Sequence, residues 1–207
     1  MTKDVEFVVK SIADTALKNE QFFTELDAVV GDGDFGYSLA RGFEKVLEKW
    51  GDIDHTNPGT FLKEVAKIIM GSVGGVSGTI WGTTFLRAGM ALGTKEKAER
   101  EDVVPVLRAV IEGIKKRGNC DLGDKTYLDT LIPTTDSIET AINEGKTDLE
   151  ILEIATQVSA EAAEATRQML AKRGRAAYTG DRSIGTLDAG SVALATMIKA
   201  LNEDWRA

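Results

Sequence analysis

Three aspartates, Asp27, Asp32 and Asp34, lie close together in the stretch LDAVVGDGDFG. Carboxylates at such short spacing repel one another and raise their own pKa values unless a cation neutralises them. Hard oxygen ligands suit Mg²⁺ and Ca²⁺, and Mg²⁺ is usually bound by a few carboxylates together with the phosphate oxygens of a substrate. Since Gly33 lets the backbone turn two carboxylates toward one point, the stretch predicts a metal and phosphate site.

Two other interpretations of the same stretch compete with metal binding. Asp34 could serve only as the N-cap of the next helix, with Asp32 forming an Asx-turn. A calcium-binding EF-hand loop fits less well, because it needs a longer series of ligands that ends in glutamate. The residues from Gly36 to Glu44 do not supply that series at the right spacing.

The segment from Gly71 to Phe85, GSVGGVSGTIWGTTF, places glycines just before a helical pattern. Free backbone N–H groups at a helix start can bind phosphate, and Ser77 and Thr79 can add hydroxyl donors. The segment matches neither a Walker A loop nor a dinucleotide fingerprint, and close helix packing through small residues explains it equally well. Trp81 and Phe85 are four residues apart, which favours core packing over adenine stacking.

A second glycine-bounded segment, GRAAYTGDRSIG from Gly174 to Gly185, contains Arg175 and Arg182. Arginine in such a loop can clamp a phosphoryl group and offset charge in a transition state. The alternative is a solvated loop with surface charges. The turn from Asp188 to Gly190 that follows can cap the last helix, or its backbone can contact a nucleotide.

Composition narrows the kind of metal site. The chain of 207 residues contains one cysteine, Cys120, and one histidine, His55. A cysteine-rich zinc site, a polyhistidine site and an intramolecular disulfide are therefore excluded. His55 is predicted to be exposed in an acidic loop, and Cys120 to be a small packed side chain without a histidine partner. Any metal must be held by oxygen.

Charge and hydropathy narrow the partners. Acidic residues outnumber basic ones by 33 to 25, for a formal net charge of -8. This excess of negative charge disfavours nonspecific electrostatic binding to nucleic acid or to an anionic membrane. The sequence shows neither a signal-like amino terminus nor a long apolar run. We therefore predict a cytoplasmic protein that binds a small molecule or another protein.

The elements that must position these residues are helices. Apolar residues recur with helical period in at least four stretches, and strong helix formers dominate them. The clearest stripes are Val5 to Ala16, Leu62 to Ile69, Ile151 to Met169 and Ala189 to Leu201. The fold class is predicted to be all-α, in one domain over residues 1–207. Pro133 falls inside an apolar pattern, so we expect that helix to start late or kink there.

The glycine-containing loops are expected to meet. In an antiparallel bundle, loops that are far apart in sequence can converge at one end. The loops that combine glycine with small polar or charged residues are Gly31 to Gly36, Gly71 to Gly78, Gly118 to Thr126 and Gly174 to Gly190. The predicted site is the rim that they form.

Four motifs in order resemble one known family, the nucleotide-binding L subunit or L domain of dihydroxyacetone kinases. The motifs are LDAVVGDGDFG, GGVSGTIWGT, GDKTYLDTLIP and GRAAYTGDRSIGTLDAG. The resemblance spans essentially the whole chain. It implies an eight-helix antiparallel barrel with a nucleotide at one end.

The resemblance also implies roles for individual residues. Asp27, Asp32 and Asp34 would hold two Mg²⁺ ions that bridge the phosphates of ADP or ATP, and Arg175 would act at the transfer site. The positions implied to surround the nucleotide are Phe35, Gly36, Tyr37, Ser38, Val76, Ser77, Gly118, Tyr127, Arg175, Asp188, Ala189 and Gly190. Phe35 departs from the family, which commonly has histidine there, and so removes a ring hydrogen bond.

The resemblance implies partners as well. Dihydroxyacetone would be bound by a separate K subunit, and ADP on this chain would be rephosphorylated in place by the M subunit of the phosphotransferase system. A homodimer or a hetero-oligomer is implied. Two alternatives stay open: an ATP-exchanging kinase component that serves another short ketose, and a nucleotide-binding coactivator that docks on a transcription regulator.

Overall fold

The chain folds into helices throughout the part that is described. The computed structural model describes residues 3–207, except that the side chain of Val76 lies outside the described part. The α-helices are α1 Val5–Lys18, α2 Glu20–Ala28, α3 Phe35–Glu48, α4 Pro58–Ser72, α5 Gly75–Leu92, α6 Val103–Gly118, α7 Leu128–Asn143, α8 Asp148–Ala165 and α9 Ala189–Arg206. Short 3-10 segments cover Trp50–Asp52, Arg100–Asp102, Thr166–Gln168 and Arg175–Ser183. No strand occurs within residues 3–207, and the all-α prediction is confirmed.

The implied count of eight helices is too low, because residues 3–207 contain nine α-helices. Asn19 separates α1 from α2 with a backbone conformation outside the helical region, φ −110° and ψ 16°. An asparagine side chain competes with the helix backbone for hydrogen bonds and so tolerates such a break. Neither glycine nor proline marks the break in the sequence.

The chain folds into two compact units. The first unit comprises the described residues up to Lys18 together with Tyr37–Asn119. Its core is apolar and aromatic: the ring of Phe43 packs edge-on against Trp81 and Phe85, with centroids 6.0 and 5.8 Å away. Core packing of Trp81 and Phe85 is thus the role that the structure supports. Asn57 caps α4 directly before Pro58, and its side chain accepts from the Thr60 N–H.

The second unit comprises Asn19–Gly36 and Cys120–Ala207. In it, α8 packs against both α7 and α9. Helix α7 begins at Leu128 with Pro133 inside it, so the expected late start is wrong. The Tyr127 carbonyl accepts from the N–H groups of Thr130 and Leu131, at 3.3 and 3.0 Å. The first turn is therefore closed before the proline, whose missing N–H removes only a later bond.

None of the helices within the described residues is long and apolar enough to cross a membrane. The organisation as one domain over residues 1–207 stays a prediction.

Candidate metal and phosphate site

The three aspartates of the opening stretch come together in the second unit. Asp27 lies in the last turn of α2, Asp32 lies in the connection to α3, and Asp34 stands directly before α3. One carboxylate oxygen from each lies within 4.8 Å of the others. The arrangement offers three hard oxygen ligands to one small volume, which is the donor set that Mg²⁺ or Ca²⁺ requires.

Backbone geometry explains why glycines separate these aspartates. Gly33 has φ +71°, a conformation that other residues rarely adopt, and its N–H donates to the Asp27 carboxylate at 2.9 Å. Gly36 lies so close to α2 that an added Cβ would lie 2.1 Å from the Glu20 carbonyl oxygen. The connection can fold back against α2, and keep Asp27 beside the other two, only because these positions carry no side chain.

Arg175 pairs with two of the three carboxylates. Its guanidinium lies 2.9 Å from an oxygen of Asp32 and 3.3 Å from an oxygen of Asp34. These groups are half exposed, so the pairs contribute little to stability and depend on salt concentration. One positive charge against three carboxylates still leaves two negative charges. The site can therefore accept a divalent cation.

The electrostatics of Asp34 agree with that surplus of negative charge. Partial burial raises the pKa of this carboxyl, the Arg175 guanidinium lowers it, and the neighbouring carboxylates of Asp32 and Asp27 raise it again. The balance is a raised pKa. A bound cation would favour the ionised form of the carboxyl and lower its pKa.

Phe35 and Gly36 follow the triad as the first residues of α3. The ring of Phe35 packs against the buried ring of Phe23 on α2, with centroids 6.2 Å apart. The side chain that departs from the family pattern is therefore used for packing between helices. The backbone of Phe35 lies at the start of α3, where the first N–H groups of a helix have no partner within the helix.

A second group of predicted residues lies at the start of α9. Asp188 is the N-cap of this helix, and its carboxylate accepts from the Ser191 N–H at 2.7 Å. Desolvation raises the pKa of Asp188 to about 6, although the hydrogen bonds from Ser191 act in the opposite direction. Gly190 lies against Tyr127, whose Cβ would be 3.5 Å from an added Cβ. Asp188, Ala189, Gly190 and Tyr127 are thus neighbours in space.

The remaining predicted contacts belong to the first unit. Tyr37 and Ser38 lie in the first turn of α3, Ser77 lies in the first turn of α5, and Gly118 ends α6. The predicted role of the Val76 side chain falls outside the described residues. The segment predicted as a loop from Gly71 to Gly78 is largely helical, since α4 extends to Ser72 and α5 begins at Gly75. In the predicted loop from Gly118 to Thr126, only Gly118 is helical, because α6 ends there.

Sequence reasoning missed two buried residues that hold the site loops. Asp129 accepts from the N–H groups of Gly123 and Thr126, both at 2.6 Å. Lys125 donates to the carbonyl groups of Met169, Ser183 and Thr186, far along the chain. Both residues lie in the motif GDKTYLDTLIP, in which only Tyr127 was assigned a role from the sequence.

The fold and the site together define an all-α protein with a cluster of oxygen ligands suited to a divalent cation. Residues 29–203 match the model of the DAK2 domain, and the chain belongs to the DAK2 domain family. The matched range begins after Asp27, so the first aspartate of the triad lies just outside it.

Two relatives match along most of their own length. One is the PEP-dependent dihydroxyacetone kinase, ADP-binding subunit DhaL, of Escherichia coli, 35% identical over 181 residues, which are 87% of this chain and 86% of the relative. Another is the corresponding subunit of kinase 1 of Listeria innocua, 31% identical over 204 residues, 97% of each chain. The L-erythrulose kinase of Pectobacterium atrosepticum is 31% identical over 96% of this chain, but over only 34% of its own length. These relatives are kinases or kinase subunits, so the family is one of phosphotransferases.

Two solved structures of the dihydroxyacetone kinase of C. freundii share the fold. The native form gives a TM-score of 0.76 at 27% identity, and the complex with AMP-PNP and Mg²⁺ gives 0.74 at 26% identity. Each match covers 96% of this chain. The chain spans about a third of that longer kinase, 34% and 33% in the two structures.

Proposed function

We propose that this chain is the nucleotide-binding subunit of a dihydroxyacetone kinase, which holds ADP or ATP with two Mg²⁺ ions. The observation that carries the proposal is the cluster of Asp27, Asp32 and Asp34 with Arg175 against it. Relatives named as ADP-binding subunits support the nucleotide. The related kinase in complex with AMP-PNP and Mg²⁺ supports the metal.

In the proposed reaction, this chain's residues bind and orient. Asp27, Asp32 and Asp34 hold the Mg²⁺ ions, which would neutralise phosphate charge when bound. The family resemblance assigns the phosphates to Phe35, Gly36, Tyr37, Ser38, Val76 and Ser77. It assigns the rest of the nucleotide to Gly118, Tyr127 and the turn from Asp188 to Gly190. Arg175 contacts the phosphoryl group and stabilises its charge during transfer.

The acceptor and the donor of the phosphoryl group come from partners. A K subunit presents dihydroxyacetone, and the M subunit of the phosphotransferase system rephosphorylates ADP where it sits. The relatives that match along most of their own length are named as subunits of PEP-dependent kinases, which supports this form. A homodimer, a regulatory role on a transcription factor and a cytoplasmic location stay predictions from the sequence.

The metal assignment is tested by Asp32→Ala, with Asp14→Ala as the matched control. Asp14 is an exposed carboxylate on α1, in the first unit. Native mass spectrometry of the purified wild type should show ADP and two Mg²⁺ retained through gel filtration. Asp32→Ala should lose both while the helical circular-dichroism spectrum stays unchanged, and Asp14→Ala should retain both. An unchanged nucleotide load in Asp32→Ala would refute the site.

A second candidate acceptor is a short ketose other than dihydroxyacetone. It is favoured by relatives named L-erythrulose kinase, L-erythrulose 1-kinase and D-erythrulose kinase, at 29 to 31% identity. The two functions share the nucleotide site and differ in the acceptor and in the donor. Phosphate transfer to dihydroxyacetone and to erythrulose, measured with free ATP and with the M subunit, separates them. Turnover of free ATP by a protein purified without bound ADP would favour the exchanging kinase.

A further inference from the structure

Lys125 is a buried lysine with an unusual set of partners. Only 3% of its surface is exposed, and its ammonium donates to the carbonyl groups of Met169 at 3.2 Å, Thr186 at 2.9 Å and Ser183. An ammonium has three N–H donors, and the three carbonyls share them with the Thr186 hydroxyl at 3.2 Å. Burying an ammonium is costly unless it is hydrogen-bonded in this way. The buried ammonium therefore holds three backbone carbonyls around one point.

The three carbonyls belong to both ends of one segment, residues 169–186, which we call the arginine segment. Met169 opens it, and Ser183 and Thr186 close it, so that Lys125 fastens a loop whose middle carries Arg175. Within the arginine segment, the Ser183 hydroxyl accepts from the Ala171 N–H at 3.0 Å and donates to the Gly180 carbonyl at 2.7 Å. The ends are therefore bound to each other as well as to Lys125.

Lys125 is itself held firmly by its neighbours in sequence. Its backbone adopts φ +60°, which a residue with a side chain rarely does. Asp129 enforces this turn by accepting from the Gly123 and Thr126 N–H groups on either side of it. The adjacent Asp124 pairs with Lys172 and Arg173 at the start of the arginine segment, at 3.5 and 3.3 Å.

The surroundings of Lys125 lower the pKa of its ammonium below the ordinary value for lysine. Burial lowers its pKa, the Asp188 carboxylate raises it, and the Arg167 guanidinium lowers it. A methionine of similar length would fill the same space, but it would leave the three carbonyls without their donor. The ammonium therefore contributes orientation.

We propose that Lys125 is a positioning residue for phosphoryl transfer, which sets Arg175 against Asp32 and Asp34 by fastening both ends of the arginine segment. The proposal rests on the function proposed above. It assigns to Lys125 no contact with the nucleotide. Its effect on the reaction passes through Arg175 alone.

Hydrogen–deuterium exchange of the complete subunit tests the fastening independently of activity. Lys125→Met should raise exchange about tenfold or more in residues 169–186 and leave α4 and α5 unchanged. Lys199→Met, which removes an exposed ammonium from α9 in the same unit, should change neither. Unchanged exchange in the arginine segment of Lys125→Met would overturn the proposal.

A double-mutant cycle tests the link to Arg175. With K and M subunits, Lys125→Met should lower kcat for phosphate transfer on the order of tenfold to a hundredfold, with the nucleotide Kd within about twofold of wild type. In an Arg175→Gln background, Lys125→Met should cause no further loss. An equal loss in both backgrounds would show a merely structural role and refute the proposal. If the wild type transfers no phosphate to any acceptor, the proposed function fails and the exchange experiment alone decides the fastening.

A gentler variant covers the case in which Lys125→Met does not fold. The Thr186 hydroxyl also accepts from Lys125, at 3.2 Å, and donates to the Ser183 carbonyl at 2.7 Å. Thr186→Val keeps the shape and removes both bonds. It should raise exchange in the arginine segment about threefold and lower kcat in the same direction, and unchanged values of both would contradict the proposal.

Discussion

The two units of this chain differ in how many polar side chains they bury within the described residues. The first buries mainly apolar and aromatic side chains, among them Phe43, Phe61, Val65, Ile69, Trp81, Phe85, Ile111 and Ile114. The second buries many polar ones within its described residues: Lys125, Asp129, Thr130, Thr134, Thr135, Ser159, Thr166, Ser183, Ser191 and Asn202. The triad and Arg175 both belong to the second.

Apolar burial and hydrogen bonds contribute differently to a fold: the first mainly sets its free energy of unfolding, and the second mainly sets the positions of its atoms. Apolar burial is non-directional and contributes free energy in proportion to area. Hydrogen bonds contribute less net free energy but fix angles and distances, and they become costly when one partner is lost. The second unit, which carries the three aspartates and Arg175, therefore holds its loops with hydrogen bonds. We expect mutations in the apolar core of the first unit to change stability, and mutations of the buried polar residues of the second unit to change the geometry of its loops.

The largest expected effect is that of Phe43→Ala in the first unit. The buried ring touches Trp81 and Phe85, and its loss leaves a cavity that costs about 3–5 kcal/mol. Urea unfolding should show this loss, while calorimetry on the folded protein should give wild-type Mg²⁺ and nucleotide affinities. Met90→Ala on the exposed side of α5 is the control. A weaker Mg²⁺ or nucleotide affinity in folded Phe43→Ala would contradict the expectation that the core of the first unit affects only stability.

The next effect concerns pH and Asp188 in the second unit. Because its folded pKa is raised to about 6 from 3.8, the folded state binds the proton more tightly than the unfolded state does. This contribution to the free energy of unfolding is fully present below pH 4 and is lost as the pH rises to about 6. The total loss is at most about 3 kcal/mol.

Asp188→Asn should remove that loss while keeping a side chain that caps α9. The measurement is the free energy of unfolding of both proteins at pH 4, 5, 6 and 7, taken as a difference so that other carboxylates cancel. A difference that does not change with pH would contradict the raised pKa.

A smaller loss of stability, with a larger effect on the site, is expected for Asp129→Asn. The variant keeps the volume but replaces one acceptor of the Gly123 and Thr126 N–H groups by a donor. The cost should be about 2 kcal/mol, and hydrogen exchange should rise selectively in residues 120–127. Asp136→Asn, exposed on the same helix, should alter neither. Exchange that rises evenly over the whole chain would show that Asp129 is not specific to the loop.

The smallest effects should be alike in both units. Asn57→Ala removes the cap of α4, where the side chain accepts from the Thr60 N–H at 2.8 Å. Thr147→Ala removes the capping box of α8, which joins Thr147 and Glu150. Each should cost about 1 kcal/mol without changing nucleotide affinity. A change in affinity from Thr147→Ala alone would extend the site-forming role to the whole second unit.

Local chemistry made the triad predictable from the sequence. Asp27, Asp32 and Asp34 are close along the chain, and Gly33, between Asp32 and Asp34, indicates a turn there. Arg175 was recognisable from its glycine-bounded loop, and the helices from their apolar period.

Long-range and weakly encoded features were not predictable. Lys125 acts on carbonyls 44 to 61 residues away, and any residue supplies a carbonyl, so no side-chain pattern reveals these partners. The break at Asn19 depends on the backbone conformation of one residue. It separates α1 from α2, so the described residues contain nine α-helices instead of the eight that were implied. The late start expected at Pro133 is wrong, because the first turn of α7 is already closed before the proline.

Arg175 reaches Asp34 across 141 positions of the chain. During synthesis from the amino end, the triad leaves the ribosome long before its counter-ion exists, and contacts of such high sequence separation form late in folding. Until then the three carboxylates are a local cluster of like charge that has no arginine to pair with. We expect nucleotide to be taken up by finished molecules, so a truncated chain that ends before Arg175 would accumulate without cofactor.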